Sequence, residues 1–313
     1  VNTCRFSVII PTRNRLEKLR RALRSVEQQT FTDYEGWIVD DGSTDGTREF
    51  LESGQLTRDY PGIPTIHILI NPESRGAAAA RNRAIAGSAG ELVAFLDDDD
   101  TWLPAYLEQQ SERLADPGVE ASCVKHLNSD ADGNTFLPDW VPLLEYDHQL
   151  VCLLSESFIH TMSVFACRKA LFADIGPLNE QLHITHDWDW YARLIVSGKA
   201  IHGPEGAVLV RREVPGGLVA KYREWYREEL KVLDSYLNDR TGLAGQRRQV
   251  GAHRALLFAR IGFSKGDPVF ALKRLMEAFW CAPIHSAKII TKRLGRSIRS
   301  TIDHKQSRLE GTP

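Results

Sequence analysis

The first hundred residues carry four short apolar runs, each broken by polar residues and separated from the next by turn or helical signals. Phe6-Ser7-Val8-Ile9-Ile10 is stopped by Pro11. Trp37-Ile38-Val39 ends at Asp40-Asp41-Gly42. Ile66-His67-Ile68-Leu69-Ile70 closes at Asn71-Pro72, and Leu92-Val93-Ala94-Phe95-Leu96 runs into Asp97 to Asp100. Between them, Leu16, Leu19, Ala22, Leu23 and Val26 recur at helical spacing from Arg15 to Gln28, and Ala77 to Ala86 is an alanine-rich helix. Ser43 or Thr44 is expected to cap the helix after the second run. Strand–helix alternation with strands buried on both faces predicts an α/β fold, a mainly parallel sheet flanked by helices.

In such a sheet ligands bind outside the carboxyl ends of the strands. Every polar break above falls at that edge: Pro11-Thr12-Arg13-Asn14, Asp40-Asp41, Asn71, and Asp97 to Asp100. Topology therefore gathers them on one crevice. Four consecutive aspartates repel one another and raise each other's pKa unless a cation sits among them. Hard carboxylate oxygens suit Mg²⁺ or Mn²⁺, which also bind a substrate's phosphates. The competing reading is a solvated acidic turn that caps the next helix through Asp100 or Thr101. Asp40-Asp41 can accept hydrogen bonds from a base or a ribose, or can serve an Asp-Gly turn. Arg81 can pair its fork with a diphosphate or lie exposed on its helix.

Lys and Arg total 39 against 41 acids, a formal charge of −2, so composition offers no argument for nucleic acid. No apolar run approaches the roughly 18 residues that span a bilayer. The start, VNTCRFSVIIPTRN, lacks the order of a signal peptide. Cys4, Cys123, Cys152, Cys167 and Cys281 form no CxxC pair, which reads as reduced thiols in the cytoplasm.

Residues 101–213 are less regular. Ala105 to Leu114 and Thr185 to Ser197 look helical, the latter opening with His186-Asp187-Trp188-Asp189, and 130–134 looks like a hairpin turn. Trp188 and Trp190 could stack on a sugar, with at least one expected in the core. Beyond Gly217 come Arg-rich amphipathic helices at about 222–238, 244–263 and 267–281. The basic tail, residues 285–313, places Ile289, Ile290, Leu294 and Ile298 among cations. That pattern suits contact with anionic lipid, or packing on its own domain or a second subunit.

FSVIIPTRNR, WIVDDGSTDGT, NPESRGAAAARNRAI, GELVAFLDDDDTWLP, SVFACRKALFADIGPLNEQL and HITHDWDWYARLIVSG, in this order, resemble the family 2 glycosyltransferases over about residues 5–213. The resemblance implies a GT-A fold over 1–213, with a nucleotide-binding half at about 1–100, an acceptor half at about 101–213, and a helical C-terminal region at 214–313. It implies inverting transfer from a nucleotide-sugar, commonly a UDP-sugar, to a glycan or lipid-linked acceptor in surface polysaccharide synthesis. The setting is cytoplasmic or peripheral at the inner face of the membrane. Pro11, Thr12, Arg13, Asp41, Asn71 and Arg81, with Asp40 adjacent, fall where the family holds the nucleotide. Asp97 or Asp98 matches the ribose contact, Asp99 the ligand of a divalent cation, and Asp187 the catalytic base. Asp189 is a second choice. The family's usual pattern has a small or neutral residue where Asp98 stands.

The rival reading is a phosphohydrolase. Asp97-Asp98-Asp99-Asp100-Thr101 after a strand also spells DxDxT, with Asp97 as nucleophile. That motif normally opens its fold, whereas here three strand–helix units precede it.

Overall fold

A computed structural model describes residues 4–129, 135–136, 149–156, 158–203, 208–212, 221–237 and 243–291. The chain divides into two compact units, residues 1–153 with 157–220, and residues 154–156 with 221–313.

The first unit is α/β, as the alternation predicts. It opens with β1 (Phe6–Thr12), α1 (Leu16–Glu27), β2 (Tyr34–Asp41), α2 (Thr47–Glu52), α3 (Gln55–Asp59), β3 (Ile66–Asn71), α4 (Ala77–Gly87) and β4 (Leu92–Phe95). Then follow β5 (Asp100–Thr101), α5 (Tyr106–Leu114), β6 (Ala121–Cys123), β7 (Lys125–Ser129), β8 (Thr135–Phe136) and α6 (Gln149–Glu156), whose last three residues belong to the second unit. It closes with β9 (Phe165–Arg168), α7 (Leu171–Asp174), α8 (His186–Val196), β10 (Ile201–His202) and β11 (Val208–Arg212).

The main sheet has the order β10-β6-β9-β4-β1-β2-β3. β1 pairs in parallel with both β2 and β4, and β2 with β3. β9 runs antiparallel to both of its neighbours, β4 and β6. The chain moves outward from β1 to β3 and then returns to β4 on the other side of β1. That reversal creates the topological switch point at which open α/β sheets bind ligands. β1, β2 and β4 are buried along their whole length. α1 lays Leu19, Ala22, Leu23 and Val26 into the core. α4 buries Ile85 and Ala78, Ala79, Ala80 and Ala84, whose small side chains let the helix approach β1 and β2 closely.

A second sheet, β5-β11-β7-β8, had no clear pattern in the sequence. β7 pairs antiparallel with β8, Ser129 opposite Thr135. The expected hairpin turn between them, 130–134, lies outside the described residues.

The Ser43 or Thr44 cap is corrected. α2 begins at Thr47, and the Asp45 carboxylate accepts from the Thr47 amide at 3.1 Å and its hydroxyl at 2.6 Å. Ser43 and Thr44 instead meet Asn14 on the neighbouring loop, as described below.

The second unit is helical: α9 (Tyr222–Tyr236), α10 (Arg247–Ser264), α11 (Pro268–Cys281) and a helical stretch at 283–291. Asp267 caps α11 by accepting from the Phe270 amide, with Pro268 in the first turn, where a missing N–H costs nothing. Glu229 and Arg254 form an ion pair that is almost wholly buried. Ala252, Ala255, Leu256, Ala278 and Ile289 make a core cluster, with Ile290 packed against it. The described part of the basic tail therefore turns its isoleucines onto its own unit. Leu294 and Ile298 lie outside the described residues.

Candidate functional site

The strand register lines up the polar ends: Thr12 lies beside Asp40, and Asp41 beside Asn71. Pro11 is buried within β1, opposite Val39, while Arg13 is exposed on the rim. Side chains then stitch neighbouring loops together. Asn14 adopts a left-handed φ of 53°, which asparagine tolerates. Its amide donates to Ser43 Oγ at 2.9 Å, and its Oδ1 accepts from the Thr44 amide at 2.6 Å.

Asp41 is the most heavily bonded carboxylate on this rim. It accepts from Asn71 Nδ2 (2.8 Å), Ser74 Oγ (2.7 Å) and the amides of Arg75 (2.9 Å) and Gly76 (2.8 Å). Burial alone would raise its pKa, but these four donors outweigh burial and hold the carboxyl below its ordinary value. Gly42, at φ +77°, makes room, because a Cβ there would sit 2.8 Å from the Ser74 nitrogen. Asp41 thus shapes the β3–α4 loop, and a nucleotide could bond it only by displacing one of those donors. Asp40 is fully buried. It accepts from the Ser43 amide and lies 3.6 Å from Arg48 Nε, so it holds its turn. Asn71 also accepts from Arg83 at 2.7 Å, a partner the sequence did not single out.

The four aspartates split in direction. Asp97 takes Arg81 on Oδ1 and the Thr161 hydroxyl, 2.9 Å away, on Oδ2. Asp98 accepts from Thr12 Oγ1 at 2.8 Å and from Arg15 Nη1 at 2.9 Å, across the switch point between β1 and β4. Burial raises its pKa, with Arg15 and Thr12 opposing and Asp99 adding. The same Arg15 nitrogen donates to Asp99 Oδ2 at 3.0 Å. Asp100 is buried, with Thr161 Oγ1 3.0 Å from its Oδ2. α5 starts only after Ala105, so a solvated capping turn is not what this segment forms.

Arg81 ties the acidic strand end to α8. Its Nη1 lies 2.7 Å from His186 Nε2, and its other terminal nitrogen meets Asp97. Burial above all, then Arg81 and His183, push the His186 pKa down to about 3 against the pull of Asp97. The imidazole is therefore neutral, accepts on Nε2 and carries its proton on Nδ1. Both terminal nitrogens of this buried arginine are committed, so Arg81 braces the rim and is not a free fork for phosphate. Asp187 follows in the first turn of α8, partly buried, and accepts from its neighbour's amide, that of Trp188, at 2.7 Å. Burial raises its pKa to about 6; the Trp188 amide and Arg81 pull it down, and Asp97 pushes it up. A carboxylate that titrates there is ionised at neutral pH yet basic enough to take a proton.

Asp189 pairs with Arg193 at 3.0 Å, one turn along the helix. Both tryptophans are core residues. Trp188 donates to the Leu153 carbonyl, and Trp190 donates to that of Gly176 and stacks on Phe172 at 4.5 Å. The sugar-stacking expectation is corrected for both, because α8 is buried on both of the faces they occupy.

Thr161 and Ser163 were not legible in the sequence. Ser163 Oγ accepts from the Asp97 amide at 2.9 Å. They reach Asp97 because β9 runs backwards and so begins at the edge where β4 ends.

Among the described residues no three His, Cys, Asp or Glu side chains cluster as a metal cage. The acidic strand end nevertheless fits a divalent cation. One Arg15 nitrogen sits on both Asp98 and Asp99, so two carboxylates converge on a single cationic position. Mg²⁺ and Mn²⁺ typically use one or two carboxylates and complete their shell with substrate phosphates and water.

The family profile "Glycosyl transferase family 2" matches residues 7–176. Glycosyltransferase AglE of Haloferax volcanii is 30% identical over 205 residues, 62% of each chain. UDP-Glc:alpha-D-GlcNAc-diphosphoundecaprenol beta-1,3-glucosyltransferase WfgD of Escherichia coli is 36% identical over 108 residues, 33% of this chain and 38% of that one. The chain thus spans less than two thirds of these relatives' length. In three dimensions it is similar to mannosyltransferase PcManGT from Pyrobaculum calidifontis, solved in complex with GDP-Man and Mn2+. The TM-score is 0.62 at 18% identity, covering 95% of this chain and 81% of that one.

Proposed function

This chain belongs to glycosyl transferase family 2, and on that premise we propose that it moves a sugar from a nucleotide-sugar, a UDP-sugar in the first instance, to a hydroxyl of a glycan or lipid-linked acceptor. The setting proposed is surface polysaccharide synthesis. The name of the WfgD relative supports the choice of a UDP donor and a lipid-linked acceptor. We take residues 1–213 as the transferase domain and the rim of β1–β4 as the donor crevice.

One observation carries the reading: Arg81 bridges Asp97 at the acidic strand end and His186 beside Asp187, so donor-side and acceptor-side groups share one rim. The Asp187 carboxylate takes the proton of the acceptor hydroxyl. The freed oxygen attacks the anomeric carbon from the face opposite the diphosphate. The new C–O bond forms as the bond to phosphate oxygen breaks, and that electron pair leaves with the nucleoside diphosphate. A single displacement of this kind inverts the anomeric centre and demands no second carboxylate. Asp99, assisted by Asp98, would hold a divalent cation, which when bound supplies Lewis-acid stabilisation of the departing diphosphate. Arg81 acts as a positioning residue, holding Asp97 in place and keeping Asp187 ionised. The loop organised by Asp41 offers backbone and side chains to the nucleotide.

The phosphohydrolase reading finds no support here. Both oxygens of its nucleophile, Asp97, are engaged by Arg81 and Thr161. A panel of nucleotide-sugars assayed with Mn²⁺ for nucleoside diphosphate release tests the choice. Release that needs an acceptor and vanishes in Asp187→Asn is the expected result. Release of inorganic phosphate from aryl phosphates would overturn it.

A further inference from the structure

α11 has apolar residues on two sides. On one, Ala271 and Ala278 are buried, Leu275 packs against the core cluster and Phe270 lies against Tyr222 and Tyr226. On the other, bulky apolar residues face water: Val269 is 78% exposed, Leu272 54%, Met276 68% and Trp280 90%. These four recur at i, i+3, i+7 and i+11, which places them along one face of the helix. In the next helical stretch Ile284 is also 73% exposed. A soluble helix normally keeps its outer face polar, and an exposed apolar surface of this extent marks an interaction site.

The charges around this stripe select its partner. Lys265, Lys273 and Lys288 are exposed and make no ion pair among the described residues. The acids nearby are already neutralised. Glu277 is held by Arg274 at 2.6 Å and by the Tyr226 hydroxyl at 2.7 Å, and Asp267 is held by Arg223 and Tyr222. From Ala278 to Thr291 the sequence has no acid. Apolar bulk with an exposed indole, set among unpaired cations, is the chemistry that enters an anionic lipid surface.

We propose that the outer face of α11 docks this protein on an anionic bilayer, lying in the interface and not crossing it. No helix among the described residues is long and apolar enough to cross. The surface differs from the one expected in the tail, where Ile289 and Ile290 pack inward. The inference goes beyond the reading of the donor crevice and does not depend on it.

The test uses the whole chain with phosphatidylcholine vesicles, with and without phosphatidylglycerol. Expected is co-sedimentation with the anionic vesicles, weakened by salt. Met276→Gln combined with Trp280→Gln should lower that partition by about tenfold or more, since it removes apolar area that the lipid would bury. Both sites are exposed, so the thermal melt should not move. Lys273→Glu should reduce the anionic preference and leave the apolar stripe intact. Equal sedimentation of parent and double variant would overturn the proposal. So would parent protein that ignores both vesicle types, or a concentration-dependent dimer that the double variant dissolves, which would assign the face to a second copy.

Discussion

Replacing Asp187 by Asn should remove transfer and, above neutral pH, make the fold more stable. The side chain keeps an oxygen that can accept the 2.7 Å bond from the Trp188 amide, so the first turn of α8 is preserved. What changes is the charge. The parent carboxyl titrates at about 6 in the folded protein against an ordinary 3.8. The folded state therefore binds this proton more tightly than the unfolded chain. Below about pH 3 both states are largely protonated and the group is neutral in each. As pH rises through about 6 the native state must carry a partly buried charge, and stability is lost. The gap is worth about 2–3 kcal/mol, the lower figure allowing for the part of the carboxyl that reaches water. At pH 8 the variant should melt higher by about 5–10 °C; at about pH 3 the two proteins should coincide. The same titration governs the parent's rate. At pH 5 only about a tenth of the base is ionised, so kcat/KM should fall about tenfold from pH 7, where an ordinary aspartate would barely change. Calorimetric melts at the two pH values and a pH–rate profile form the assay. A variant that is less stable than the parent at pH 8, or an acid limb near 4, would refute the reasoning.

Three further outcomes are expected. Arg15→Ala should bind Mn²⁺ about tenfold more tightly without donor, because the guanidinium on Asp98 and Asp99 no longer competes; titration followed by electron paramagnetic resonance reads this, and unchanged affinity refutes it. Arg81→Lys cannot span Asp97 and His186 together, so it should cost about 3 kcal/mol in a urea melt. Arg81→Gln, which also removes the positive charge that lysine keeps, should move the acid limb of the rate profile above 6, because Arg81 holds the Asp187 pKa down; an unmoved limb would separate the two groups. Glu229→Ala should destabilise the helical unit by about 3–5 kcal/mol by stranding Arg254, and the double variant Glu229→Leu with Arg254→Leu should recover most of the loss.

Much of the donor crevice was legible because its residues stand at strand ends, and strand ends can be read from apolar runs. The cluster of Asp97, Asp98, Thr12 and Asp187 near one rim follows from that and from the family resemblance. The polar logic inside the rim was not legible. Periodicity says nothing about whether an aspartate faces a ligand or its own loop, so Asp40 and Asp41 looked available when both are engaged by protein donors. Arg15 had one readable signal, a cation one turn after Thr12 at the start of α1. Thr161 and Ser163 had none, since a reversed strand cannot be told from a parallel one by its apolar residues. The tryptophans of α8 show the opposite limit: a helix buried on several faces hides the distinction between core and platform.

β9 has a consequence for how such a chain diversifies. One backward strand lets a single edge gather segments that leave the sheet and segments that enter it. The stretch arriving at Thr161 can therefore be recast in length and chemistry without shifting any pairing beneath it. On the function proposed above, novel acceptor preferences would arise there, while the hydrogen-bonded ladder of the sheet stays as it is.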